Sequence, residues 1–421
     1  MQFNNPHSSL DSAASTRRAR LIAFYLPQFH PIPENDLWWG KGFTEWTNVA
    51  KAKPLFRNHY QPRVPADLGF YDLRLPEARA AQAALAQSAG IEGFCYWHYW
   101  FGGKRLLERP FDEVVRSGEP DFPFCLAWAN QTWTGIWHGS PKRVLIEQTY
   151  PGREDYRRHF YALLEAFQDR RYIRYHGKPV FVIFNPTELP DANDLIELWQ
   201  SLANENGLPG IHFVAHVATV CQAFDYRGKG FDASIASDAF AISMLNSWQR
   251  SISFYRAKNP DNSLLKTLIQ WPFVLQRALS LKIETYLCRW LSRPEVIEYS
   301  EAMLHFLKNA TSSSDTYPCA VPNWDHSPRT GTRARIFNNS APALFRRHLQ
   351  ETLRLVDDRP FDDRIVFVKS WNEWAEGNHL EPDLRFGHQY LDVVREEVLS
   401  RASAHAGEKA RTRTCAVAVG T

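Results

Sequence analysis

Glu373 and Glu376 stand three residues apart in Trp371-Asn372-Glu373-Trp374-Ala375-Glu376-Gly377. A pair of carboxyl groups is what cleavage of a glycosidic bond requires, one to protonate the leaving oxygen and one to act as base or nucleophile. On a helical turn this spacing separates the side chains by roughly 5–6 Å. On an extended loop it reaches about 10 Å, so retaining and inverting geometries both fit. Trp371 and Trp374 would strip water from the pair. Adjacent carboxylates raise each other's pKa, which favours the protonated form that an acid catalyst needs. The plainer alternative is a helix cap, with acidic side chains at the positive end of the next helix.

Other residues of sugar-binding type fall at similar places in the chain. They are Tyr25, His30, Trp38, Glu45, Trp46, Trp97, His98, Trp128, Asn130, Asn185, His216, Asn323, Trp324, Asp325, Asn372 and Trp374. An aromatic face stacks on the apolar C–H face of a pyranose while amides, imidazoles and carboxylates take its hydroxyls. Aromatic residues make up 14% of the chain, 15 of them Trp, so such clusters are frequent here. Filling a large core is the competing use for any single Trp. The histidines lack metal-site spacing and no H-E-x-x-H occurs, so neither an obligatory metal nor another cofactor is expected.

Positioning these residues falls to eight short apolar runs: 21–26, 91–97, 123–128, 179–184, 211–217, 231–236, 317–322 and 365–370. They alternate with helical patterns over 154–170, 191–206 and 343–355, and with an Ala-rich segment from Pro76 to a stop at Gly90. Repeated βα units predict an α/β fold with a parallel sheet, and eight strands predict a (β/α)8 barrel. Nearly all the candidate residues follow one of these runs, at the end of the strand where such barrels build their active sites. A long connection, 27–75, follows the first strand, and a helical insertion, about 240–310, precedes the seventh. Residues 264–281 of the insertion interleave Lys and Arg with apolar positions, fitting ordinary packing, a lid, a partner surface or a helix lying on a membrane. Residues 20–400 are expected to form one catalytic domain between flexible tails, 1–19 and 401–421.

Net charge is +3, spread along the chain, so there is no concentrated basic face to suggest nucleic acid. The six cysteines, Cys95, Cys125, Cys221, Cys288, Cys319 and Cys415, include no C-x-x-C pair. They read as free thiols in a reducing compartment. The first twenty residues lack an apolar signal core, and the expectation is a cytoplasmic protein, peripheral to a membrane if the insertion docks there.

Tyr25 to His30, Trp38 to Asn48, Asn323-Trp324-Asp325 and Trp371 to Gly377 together resemble the WbsX-like family. That family accompanies bacterial surface-polysaccharide genes and is related to glycoside hydrolase family 99, the endo-α-mannosidases. The resemblance covers roughly residues 20–395. It implies a (β/α)8 barrel, an oligosaccharide or polysaccharide substrate, and a retaining mechanism through a 1,2-anhydro sugar. Glu373 would deprotonate the 2-hydroxyl and Glu376 would serve as acid/base. Members are also described as glycosyltransferases of O-antigen, lipopolysaccharide or capsule synthesis. The chain has no D-x-D and no G-x-G-x-x-G, which weighs against a metal-dependent nucleotide-sugar transferase. A non-catalytic glycan-binding barrel is the third reading, against which the intact glutamate pair stands.

Overall fold

The computed structural model describes residues 17–135, 140–217, 224–236, 294–307 and 313–399. Each of the eight apolar runs forms a strand: β1 (Arg20–Tyr25), β2 (Gly93–Phe101), β3 (Phe124–Trp128), β4 (Lys178–Ile183), β5 (His212–Val217), β6 (Ala233–Ala236), β7 (Thr316–Ala320) and β8 (Ile365–Val368). Neighbours pair in parallel around a closed ring. Ile22 lies opposite Gly93, Phe94 opposite Phe124, Leu126 opposite Phe181 and Val180 opposite His212. Val214 lies opposite Ala233, Ser234 opposite Thr316, Cys319 opposite Phe367 and Ile365 opposite Arg20. Because β1 bonds to both β2 and β8, the ring has no free edge and is a (β/α)8 barrel.

Strands walled by side chains on both faces read as unbroken apolar runs, as at Ile365–Val368, where all four residues are buried. Gly93 is required by close approach. A Cβ there would lie 2.3 Å from the carbonyl oxygen of Pro123.

The helices are α1 (Pro33–Trp39), α2 (Glu45–Lys51), α3 (Pro76–Ser88), α4 (Arg109–Ser117), α5 (Arg153–Gln168), α6 (Ala192–Glu205), α7 (Tyr299–Phe306), α8 (Ser327–Thr330), α9 (Pro342–Arg354) and α10 (Gln389–Leu399). α3 starts on Pro76 and ends as its sequence predicts: Gly90 has φ +86° and the Ile91 N–H returns to the Ala86 carbonyl.

The 27–75 connection contains α1 and α2 and is tied down along its length. Glu45 N–H donates to Gln28 O, Leu73 N–H to Phe29 O, and Ala66 N–H to Pro382 O. Of the expected insertion, the described part opens as a strand, Glu295–Glu298, paired in parallel with Arg335–Asn338, and continues into α7. Ile297, Tyr299, Met303 and Phe306 pack there against Val321, Trp324 and Phe337. The basic-apolar stretch 264–281, both tails beyond 17–399, and Cys221, Cys288 and Cys415 lie outside the described residues. Cys95, Cys125 and Cys319 are buried free thiols. Among the described residues no helix is long and apolar enough to cross a membrane.

Candidate active site

A cleft of about 700 Å³ opens at the C-terminal ends of the strands. Glu373 and Glu376 enter it from the turn after β8, Trp97 from β2, Trp324 from the segment after β7, and Glu45 from the start of α2. The turn is held by a close approach: Gly377 has φ +51°, and a Cβ there would lie 2.8 Å from the Asp325 Cβ and from its carbonyl oxygen. Asp325 N–H also donates to the Glu376 carbonyl at 2.7 Å, which locks the turn after β8 onto the segment after β7.

Glu373 is 5% exposed, and its Oε1 accepts the Trp97 indole N–H at 2.7 Å and the Ser370 hydroxyl at 3.1 Å. Burial, and next the neighbouring Glu376 carboxyl, push Glu373 up to about 7, while Lys369 acts in the opposite sense. Arg329, on α8, is buried between two carboxylates. Its Nη2 lies 3.1 Å from Glu45 Oε2 and its Nη1 donates to Glu376 Oε1. Burial raises the Glu45 carboxyl, and Arg329 draws it back down.

Three carboxyls and three cations, Arg329, Lys369 and the exposed Arg333, therefore line the cleft, and fully ionised they sum to −3 + 3 = 0. His326 also lines the cleft and is kept neutral, its pKa lowered to about 4 by burial and then by Arg335. Trp39, Phe43, Tyr99, Trp133 and Phe184 complete the aromatic walls. Lys369 Nζ sits 5.8, 5.6 and 5.4 Å from the Trp97, Phe184 and Trp324 ring centres. Apolar faces beside carboxyls and amides suit a carbohydrate.

The other residues expected at the rim do not line this cleft. Several instead fix the backbone around it. Asn372 clamps the end of β1, accepting the Leu26 N–H at 2.7 Å and donating to its carbonyl at 3.1 Å. Asn130 does the same for Asn185, bonding both its N–H and its carbonyl. Asn323 makes the equivalent pair with His379. Asp325 is fully engaged, with Oδ2 accepting from His59 and Gln61 at 2.7 Å each and Oδ1 from the Ser327 N–H.

The remaining rings are packed away from the lining. Tyr25 donates to Gln82, Trp46 to the Tyr71 carbonyl, and Trp128 to the Trp100 carbonyl. Trp374 donates to Glu381 and stacks on His379. His98 pairs with His159 at 2.8 Å, a contact that requires one ring to donate and the other to accept. His30 and His216 are buried, with pKa values lowered by burial to about 4 and about 3, so both are neutral. Trp38 packs on Trp133, leaving its neighbour Trp39 to face the cleft.

Sequence reasoning passed over Arg329 and Lys369. Lys369 carried a readable signal, a lone lysine directly after the buried run Ile365–Val368 at a strand's C-terminal end. Arg329 had none, being one of 49 basic residues. Among the described residues no group of three or more His, Cys, Asp or Glu is placed to hold a metal.

The solved structure titled glycoside hydrolase-like protein is similar at a TM-score of 0.52 and 15% identity, over 90% of this chain and 93% of its own. That likeness is one of fold. The GH99 endo-alpha-mannosidase from Bacteroides thetaiotaomicron, solved with BIS-TRIS-propane, gives a TM-score of 0.48 at 14% identity, over 94% of this chain and 98% of its own. In sequence, the chain is 38% identical over 408 residues to protein WxcX from two strains of Xanthomonas campestris pv. campestris. The match covers 96% of this chain and 52% of each relative, so the chain spans about half the length of the curated relatives it matches. The family model described as glycosyltransferase WbsX matches residues 21–394. With a carbohydrate-suited cleft on a closed barrel and a family match across nearly its whole length, the chain belongs to the WbsX family of carbohydrate-active proteins.

Proposed function

We propose that the chain is a retaining glycoside hydrolase of family 99-like mechanism, acting on a bacterial surface polysaccharide or its oligosaccharides. The observation that carries this reading is the glutamate pair: Glu373, raised to about 7, beside Glu376 in a cleft walled by aromatic rings. A carboxyl whose pKa lies near the working pH is a competent base that still ionises.

In the first step Glu373 takes the proton of the sugar 2-hydroxyl, O2 attacks C1, and Glu376 donates a proton to the departing glycosidic oxygen. Water then attacks C1 of the 1,2-anhydro sugar, giving its proton to Glu376, while Glu373 returns its proton to O2. The productive form needs the pair's proton on Glu376, whereas in the free site burial raises the Glu373 carboxyl and holds the proton there. Substrate entry must therefore move one proton from Glu373 to Glu376, whose Oε1 accepts from Arg329.

The family's description as a glycosyltransferase favours a second reading, glycosyl transfer, which the family resemblance would put in O-antigen, lipopolysaccharide or capsule synthesis. Incubation with surface polysaccharides, and separately with nucleotide-sugar donors and acceptors, separates the two. Release of oligosaccharide without a donor supports the hydrolase. Nucleotide release with no hydrolysis overturns it. For the roles, Glu376→Gln should lose natural substrates yet keep turning over aryl glycosides, whose leaving groups need no acid, while Glu373→Gln should lose both.

A further inference from the structure

Beside Asp325 lies a second cavity, of about 210 Å³. Two guanidinium groups line it, Arg63 and Arg385, packed on the same ring of Tyr60 with their Cζ atoms 5.5 and 4.7 Å from its centre. Arg63 is 6% exposed, and it donates from Nη1 to the Gly377 carbonyl at 2.9 Å. Its Nε is buried with no hydrogen-bond partner among the described residues. An unmet buried donor on a charged group is costly and calls for an acceptor.

The facing wall is Asn339, Ser340 and Ala341, the residues that lead into the 13-residue helix α9. Ala341 is its N-cap and offers no side-chain oxygen, and the first turn holds no acidic residue. The N-terminus of α9 thus approaches the cavity with no acidic side chain in its own first turn, which favours an anion; the nearby Glu298 carboxylate is engaged by the Asn338 and Asn339 amides. Asp325 borders the cavity as well, but its oxygens are already taken by His59, Gln61 and the Ser327 N–H.

We propose that this cavity binds a small oxyanion, either the carboxylate of an acidic sugar or a free phosphate. Guanidinium forks match the geometry of both. The volume suits one such group and not a stretch of glycan. This site is separate from the glutamate cleft, and the proposal stands whether that cleft hydrolyses or transfers.

The test uses thermal denaturation and titration calorimetry of the full chain with sodium phosphate, sodium glucuronate and glucose at constant ionic strength. Two variants are compared: Arg385→Gln at an exposed position, and Ala341→Asp, which supplies the helix N-terminus with its own carboxylate. The wild type should bind at least one anion with 1:1 stoichiometry and a raised midpoint, and glucose should do nothing. Arg385→Gln should bind at least tenfold more weakly, and Ala341→Asp should not respond, both with wild-type circular dichroism. Binding of glucuronate alone identifies an acidic sugar, of phosphate alone a free oxyanion, and of both a general oxyanion site; each supports the proposal. No binding of either anion, or equal binding in both variants, overturns it.

Discussion

The Trp97 indole donates to Glu373 Oε1 across 2.7 Å, so the ring at the end of β2 holds the carboxylate that follows β8. This bond favours the ionised carboxylate and fixes its direction. Trp97→Phe keeps an aromatic ring and deletes the donor. Loss of a hydrogen bond to a charged group costs about 1.5–3 kcal/mol, so turnover should fall roughly 10- to 100-fold. The acidic limb of the pH–rate profile should also move to higher pH. A fall in rate with an unmoved limb would mean that Trp97 contributes only packing.

Lys369 works on the same carboxyl from a different side. Its ammonium lowers the Glu373 pKa against the burial that raises it. Lys369→Met should therefore push Glu373 higher and shift the acidic limb toward alkaline pH, the same direction as Trp97→Phe, by removal of charge and not of a hydrogen bond. High salt should leave the difference between wild type and Lys369→Met intact, because Lys369 is buried. A profile unchanged by Lys369→Met would sink the electrostatic coupling.

Arg329 is the counter-ion of two buried carboxylates at once. Removing one partner of a buried ion pair costs roughly 3–5 kcal/mol, since the stranded charge stays desolvated. Arg329→Met should lose stability on that scale. Adding Glu45→Gln should recover part of it, because one stranded charge is then gone. Denaturant unfolding of the wild type, both single variants and the double variant gives the coupling energy directly. Additive losses would show that Arg329 and Glu45 are neighbours without being partners.

The barrel was legible because its strands are walled on both faces, so each appears as an apolar run with little interruption, as in Phe124–Trp128 and Ile365–Val368. The ends of those strands were legible only by residue type. Asn130, Asn323 and Asn372 have the chemistry of sugar ligands, but a backbone turning sharply at a strand end needs the same amides to satisfy its N–H and carbonyl groups. Nothing in the chain distinguishes these uses. Trp38 and Trp39 pose a similar problem, since adjacent residues on a helix point about 100° apart and either could have faced inward. Arg329 was hidden for another reason: its partners, Glu45 and Glu376, are 284 and 47 residues away, and only the closed ring brings them together.

Two buried carboxyls, Glu373 and Glu381, are raised from an ordinary 4.5 to about 7, chiefly by burial. Between those values the native state holds protons that the unfolded chain has released, so stability falls as pH rises. The contribution is complete below the unfolded value of 4.5 and is lost through about 7. Each group is worth at most roughly 3–4 kcal/mol at 1.36 kcal/mol per unit. Glu373→Gln removes one of the two while its amide oxygen can still accept from Trp97 and Ser370. Its unfolding free energy should match the wild type near pH 5 and exceed it near pH 8, with roughly half the pH slope between. Glu381→Gln should flatten the slope similarly yet start lower, because Trp374, Gln82 and Tyr71 all donate to that carboxylate and one amide oxygen cannot serve all three. Urea unfolding across pH 5 to 8 separates the two, and a Glu373→Gln slope equal to the wild type would place the raised proton elsewhere.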